Sequence, residues 1–277
     1  MSTNHYFGGK SADVHYHQII NLIPPHHAFI EPFGGKVGIF RHKRPSYRTF
    51  IIERDERLEN YYQKLGIMRC HDITAFKNRL FKTGPGAYYI IEDAFEFLNE
   101  PYLIDRDEHY VYCDPPYPLD SRKDNRPTYR FEMSEDDHIN LLYILKGYGA
   151  AKIGLSTYYN ETYQYALAEV PGWDCTEIQA QTRHGRVTEQ FWMNYPSPTE
   201  LHDYRYLGAD FREREDIVRK QKRWVKNFAD LPILEQKAMI ERLTAAIAKS
   251  AESGQGKKRK KAKSLLLQEI ISDNAPS

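Results

Sequence analysis

The chain is poor in cysteine. It has three among 277 residues (Cys70, Cys113 and Cys175), far apart and with no Cys-x-x-Cys pair. That spacing excludes a disulfide framework and a thiolate zinc site, and it fits a reducing, cytoplasmic compartment. No apolar run approaches the ~20 residues a membrane helix needs, and mean hydropathy is −0.69, so no membrane-spanning segment is expected. The opening residues, MSTNHYFGGK, carry no apolar h-region, so no secretory signal is expected. The histidines, His26 and His27 among them, are not spaced as metal ligands, and no metal is expected. His138 reads as a structural histidine rather than a site residue.

Net charge is nearly absent too. Lys and Arg number 39 against 38 Asp and Glu, a balance of +1. Six of the basic residues lie in Lys257–Lys263 (KKRKKAK), so the other 270 residues carry 33 basic against 38 acidic, a net −5. A nucleic-acid-binding protein with that balance must concentrate its positive charge locally.

What the chain does have is 41% hydrophobic residues, enough for a core, and an alternation of strand-like and helical segments. The apolar runs are His27–Phe33, Thr49–Asp55, Ala87–Ala94, His109–Asp114 and Ala151–Thr157. Strands separated by helical patterns predict βαβ units and a mostly parallel sheet. Trp173–Arg183 and Val187–Tyr195 flank His184-Gly185-Arg186, which predicts a closing antiparallel hairpin. Ser134 before Glu135, Asp136 and Asp137 is a capping-box pattern opening a helix, and Gly147 and Gly149 mark its end. Residues 196–209 read as a loop and 210–250 as helices broken near Leu231-Pro232. Residues 251–264 have too few apolar groups to order themselves. The expected organisation is a domain over 1–200, a helical extension over 201–250 and a basic tail over 251–277.

Two segments carry chemistry. Phe29-Ile30-Glu31-Pro32-Phe33-Gly34-Gly35-Lys36-Val37-Gly38 follows an apolar strand and leads towards a helix. Its glycines either make a tight turn or let backbone approach a ligand closely. Glu53, an acid at the tip of the second strand, favours the second option, because that position holds a nucleoside ribose by its hydroxyls. Asp114-Pro115-Pro116-Tyr117 follows the strand HYVYC. Proline cannot continue a central strand, so the chain leaves the sheet at its carboxyl edge, where ligands bind in open α/β sheets. The two prolines stiffen a corner that presents the Asp114 carboxylate, the Pro115 carbonyl and the Tyr117 ring. Two acceptors facing the N–H groups of a nucleobase amine free its lone pair for attack. The carboxylate also stabilises the charge that develops on nitrogen. Tyr117 is placed to stack on the base, which must first leave the duplex.

In this order the motifs resemble the D12-class N6-adenine DNA methyltransferases, relatives of the DNA adenine methylases of bacteria and phages, over roughly residues 4–196. Tyr6-Phe7-Gly8-Gly9-Lys10 is similar to the family's N-terminal cofactor motif, Phe29–Gly38 to its FxEPFxGxG loop and Asp114–Tyr117 to its catalytic tetrad. Glu189-Gln190-Phe191-Trp192-Met193-Asn194-Tyr195 is similar to its late E-x-L-W-x-N-Y strand. The resemblance implies a Rossmann-like, mostly parallel seven-stranded α/β sheet ending in an antiparallel hairpin, with a C-terminal helical appendage. It implies S-adenosylmethionine as cofactor and a flipped adenine in DNA as substrate. It implies that Tyr6, Lys10, Glu31, Pro32, Phe33, Gly34, Gly35 and Gly38 line the methionine end, and that Asp114 touches both cofactor and amine. Glu53, where the family usually has Asp, would hold the ribose. Asp93 either helps hold the adenine or caps the helix DAFEFL.

The family's target-recognition insert, between strands two and three, is reduced here to about 58–86, which predicts relaxed sequence specificity. Recognition then falls to 118–133, with Arg122, Lys123, Arg126 and Arg130 as candidates for phosphate or base contacts, or as a solvated charged loop. Phe211–Asn227, with seven basic against three acidic residues, and the 257–263 run are either further DNA contacts or solvated charge. Cytosine-N4 methylation needs the same arrangement of acceptors. A catalytically silent DNA-binding protein is the alternative of another class.

Overall fold

The computed structural model describes residues 16–250 except 83, 123–124 and 183–184. Tyr6, Lys10, Lys123 and the 257–263 run lie outside the described residues. The chain divides into two units, Met1–Ala209 and Asp210–Ser277.

The first unit is built on one sheet. Its elements follow in the order α1 (Tyr16–Ile20), β1 (Ala28–Glu31), α2 (Gly38–His42), β2 (Arg48–Glu53), α3 (Glu59–Lys64), β3 (Met68–Arg69), α4 (Ile73–Lys82), β4 (Gly86–Ile91), α5 (Ala94–Leu98), α6 (Pro101–Ile104), β5 (His109–Cys113), α7 (Glu135–Lys146), β6 (Lys152–Thr157), α8 (Glu161–Leu167), β7 (Asp174–Thr182) and β8 (Gly185–Met193). The strand order is β3-β4-β2-β1-β5-β6-β8-β7. Every pair is parallel except those that β8 makes with β6 and β7. This is a Rossmann-like order, with the direction of winding reversing between β1 and β5.

All seven expected strands form. The eighth, β3, lies in the 58–86 segment, together with α3 and α4, and adds a short edge to β4. Its two residues are exposed and carry no periodic signal. The hairpin pairs through Thr182↔Gly185, so Gly185 and Arg186 belong to β8 rather than to the turn.

The central strands are buried on both faces, as a covered parallel sheet requires. Period-two alternation sends Val111 and Cys113 of β5 to a core with Ile30, Leu141 and Trp192, and Tyr110 and Tyr112 to another with Ile19, Phe29 and Phe191. Gly154 of β6 is required by packing. A Cβ there would enter the Tyr110 hydroxyl and the Phe191 ring. The capping box forms as expected: Ser134 accepts from the Asp137 amide and the Asp137 carboxylate accepts from the Ser134 amide. Gly147 is the C-cap, in right-handed rather than left-handed backbone. Asp105 takes the amides of Gly149, Ala150 and Ala151 at 2.7–2.9 Å and seats the turn into β6.

In the second unit, α9 (Phe211–Ala229) begins at the Asp210 N-cap, and a further helix spans 233–250 after Pro232. The break at Leu231-Pro232 is thus as expected. No residue of α9 is buried, and Trp224 is 64% exposed. Among the described residues no helix is long and apolar enough to cross a membrane.

Candidate functional site

The carboxyl ends of β1, β2, β4 and β5 converge on a cavity of about 140 Å³. Glu31, Pro32, Phe33, Gly34, Gly35 and Gly38 from the β1 loop line it, with Glu53 from β2, Asp93 after β4, and Asp114 and Pro116 after β5. Ten of the residues expected at the site are therefore brought together by the switch in strand order.

The glycine loop is held from behind. Tyr62 of α3 donates to the Gly35 carbonyl at 2.8 Å and Tyr61 to that of Lys36 at 3.2 Å. A Cβ on Gly34 would meet Ile51 and the Tyr62 hydroxyl at 2.6 Å, so packing on β2 and α3 requires a glycine here, in a loop that also lines the cavity. Gly35 is left-handed at φ +50°, and so is Val37 at φ +48°, an uncommon state for a β-branched residue. Such a conformation costs about 1–3 kcal/mol and persists only where the surroundings impose it.

The Glu53 carboxylate accepts the Gly35 amide at 2.6 Å and the Asp55 amide at 2.7 Å. Burial pushes its proton affinity up, and these backbone amides oppose the shift. Asp93 caps α5 through the Phe95 amide at 2.8 Å and pairs with Arg54 at 3.2 Å. Both readings of Asp93 are compatible with this position: it is a cap on the cavity wall.

The cavity is acidic, with seven carboxylates against two guanidinium groups. Some are neutralised locally. Asp55 is paired with Arg57 and with Arg130 at 3.0 Å. Glu132 is paired with Arg122 at 2.6 Å. Glu31 is different: it is 2% exposed, and its Oε2 has no hydrogen-bond partner among the described residues. Burial first, then the neighbouring Asp114 charge, holds its carboxyl well above the usual range.

The tetrad departs from expectation at its last residue. Pro115 is buried and is not among the residues that line the cavity, which Pro116 does. The Tyr117 ring is buried, edge-to-face with Tyr158 at 4.6 Å, so it does not lie open for a base to stack on. Its hydroxyl lies 3.1 Å from the Asp114 carboxylate and 3.1 Å from that of Glu189 on β8. The aromatic rings that line the cavity are those of Phe33, Phe95, Tyr112, Tyr129 and Phe131.

Of the basic residues expected to meet DNA, Arg122 is largely buried and holds its own loop together through Glu132 and the Tyr117 carbonyl. Arg130 is tied to Asp55, and Arg126 is exposed. Side-chain polarity alone did not distinguish a loop-internal guanidinium from a surface one. Tyr62 and Asp55 had no local signal as site residues, while Glu189 and Arg130 stood out in sequence without their partners Tyr117 and Asp55. The His138 ring lies apart from this cavity, 3% exposed, with Nδ1 2.8 Å from the Tyr163 hydroxyl.

No family model matches the chain, and no curated protein does. Solved structures similar to it include magnesium protoporphyrin IX methyltransferase from Synechocystis PCC 6803 with bound S-adenosylmethionine. That likeness has 10% identity and a TM-score of 0.38, over 64% of this chain and 74% of that one. The O-methyltransferase TomG from Streptomyces achromogenes is 14% identical, with a TM-score of 0.37, over 65% and 78%. Spermidine synthase from Thermotoga maritima is 11% identical, with a TM-score of 0.37, over 74% and 73%. Likenesses this distant say nothing of substrate, and the fold rests on the strand order above.

Proposed function

We propose that the chain is an S-adenosylmethionine-dependent methyltransferase that modifies N6 of an adenine flipped out of DNA. The observation that carries the reading is a juxtaposition: Asp114 and Pro116 line the same cavity as Gly34, Gly35, Gly38 and Glu53. On this reading, cofactor pocket and proline corner form one site.

The residues present fit the cofactor. An acidic cavity suits a ligand bearing a sulfonium and an ammonium, and Glu31 Oε2, without a hydrogen-bond partner among the described residues, is an acceptor in its wall. Each Glu53 oxygen accepts one backbone amide and keeps a lone pair for a ribose hydroxyl. Glu31, Gly34 and Gly35 would hold the methionine end, and Asp93 and Phe95 the nucleoside side. By resemblance, Tyr6 and Lys10 join the methionine end. The bound cofactor supplies an electrophilic methyl group on a positively charged sulfur.

The chain's own residues do the rest. Asp114 and the Pro115 carbonyl accept the two N–H groups of the adenine amine and leave its lone pair free. The carboxylate stabilises the positive charge that develops on nitrogen. Positioning of the amine by a stiff corner supplies the remaining advantage. Tyr117, turned away from the cavity, holds Asp114 rather than the base.

The test is transfer of labelled methyl from S-adenosylmethionine to DNA, followed by nucleoside analysis. N6-methyladenine is expected, and Asp114→Ala should lower the rate by about 100-fold or more. N4-methylcytosine would overturn the choice of base. Cofactor binding without transfer to any DNA would favour the silent DNA-binding alternative.

A further inference from the structure

Glu189 enters none of the roles above, yet it reaches the tetrad from a strand 72 residues further along the chain. It is 6% exposed, and its Oε2 lies 3.1 Å from the Tyr117 hydroxyl, while Asp114 Oδ1 lies 3.1 Å from the same oxygen. A phenol has a single hydrogen. With both carboxylates ionised only one of these contacts is a hydrogen bond, and the other becomes one when a carboxyl carries a proton. Burial, then the charges of Asp114 and Glu189, keep the Tyr117 phenol protonated far into the alkaline range, so it is a neutral donor between two acids.

We infer that Glu189 is a positioning residue that completes a proton path from Asp114 through the Tyr117 hydroxyl. The chemistry rests on the methyl-transfer reading. The amine nitrogen forms its bond to the methyl carbon while the electron pair of the carbon–sulfur bond leaves with sulfur. The nitrogen, now positive, gives one proton to the Asp114 carboxylate. The Tyr117 oxygen accepts that proton from Asp114 as its own hydrogen passes to Glu189. One proton has then moved from the amine to Glu189, the phenol is unchanged, and Asp114 is again an ionised acceptor.

Other groups face this chain of bonds. Glu31 at the end of β1 faces Asp114 with its carboxyl held well above the usual range, Tyr112 comes from β5, and Tyr129 and Arg122 come from the following loop. The Tyr158 ring covers Tyr117. Arg122 is committed to Glu132 and the Tyr117 carbonyl.

The first test needs no substrate. Calorimetric binding of S-adenosylmethionine and of S-adenosylhomocysteine, in buffers of different ionisation heat, counts the protons exchanged with each. At acidic pH, where carboxylates take up protons, a sulfonium displaces protons from the carboxyls around it, so the first ligand should release more protons than the second. Glu31 supplies part of that release, and Glu189→Gln and Tyr117→Phe should each reduce the remainder, with thermal unfolding confirming that the variants fold. Proton counts equal to the wild type in both variants would overturn the inference alone. Failure of the wild type to bind either ligand would overturn the cofactor reading, and this inference with it. In methyl transfer, Glu189→Gln should lower kcat about 10-fold to 100-fold with little change in KM, and move the rising limb of the pH profile to lower pH, because a negative charge near Asp114 is removed. A double variant no worse than either single one is expected, because both act through one hydroxyl. Additive losses with an unmoved pH profile would reduce Glu189 to packing.

Discussion

The Gly35 amide donates to the Glu53 carboxylate at 2.6 Å, and that bond ties the loop after β1 to the tip of β2. The second oxygen of the same carboxylate takes the Asp55 amide. Glu53→Gln leaves one oxygen and turns an N–H towards a backbone donor. It should lower stability by about 1–3 kcal/mol and weaken S-adenosylmethionine binding together. Urea unfolding and a binding isotherm test this, and an unchanged pair of values would show that the carboxylate does neither job.

Glu31 should trade stability for binding. Its carboxyl is held above the usual 4.5 by burial first and by Asp114 next, so the folded protein keeps this proton more tightly than the unfolded chain. Its contribution to stability is complete below about pH 4.5 and is lost as pH rises through the folded value. Glu31→Gln should match the wild type at pH 4.5, exceed it by on the order of 1 kcal/mol at pH 8, and bind the cationic cofactor more weakly. Denaturation at the two pH values checks the crossing, and parallel curves would refute it.

Lys43 titrates with the opposite sign. Burial, against the charges of Glu31 and Asp203, brings its ammonium down to about 7, with Nζ on Ser46 and over the Phe29 ring. Between pH 7 and about 10.5 the unfolded chain holds a proton that the folded chain has shed. Wild-type stability should therefore rise relative to Lys43→Met across that window, by up to about 1.4 kcal/mol per pH unit. The advantage is lost as pH falls towards 7. A constant difference between the two proteins would contradict a neutral Lys43.

Arg122 and Arg126 should separate structure from DNA contact. Arg122 and Glu132 are 11% and 18% exposed, and burial of Glu132 is outweighed by Arg122 and the Tyr129 and Thr128 amides, which keep it ionised. Arg122→Ala strands that carboxylate and should cost about 3 kcal/mol. Arg126→Ala should leave stability within about 0.5 kcal/mol and lower DNA affinity, with a shallower salt dependence. Unfolding curves and binding at several salt concentrations distinguish them. Equal destabilisation by both changes would reject the assignment.

The sheet was legible because its strands are continuous apolar runs, and the glycine loop and tetrad because their residues are adjacent in sequence. β3 was not, since two exposed residues carry no period. The supports of the site were also hidden. Tyr62 meets the Gly35 carbonyl across 27 positions, Glu189 meets Tyr117 across 72 and Arg130 meets Asp55 across 75. Such pairs exist only once strand order is set. The orientation of Tyr117 was lost for the same reason, because the carboxylate that draws its hydroxyl inward comes from β8.

Met133 forms part of the wall of the cavity that holds Asp114, and also of a neighbouring hollow of about 260 Å³ bordered by Asp120, Glu135, His138 and Asn160. A thioether on an unbranched arm is the softest partition a protein can build. The two chambers therefore share a wall that can yield by rotamer changes alone, and a bulky guest in either will be felt in its neighbour while the sheet beneath stays still.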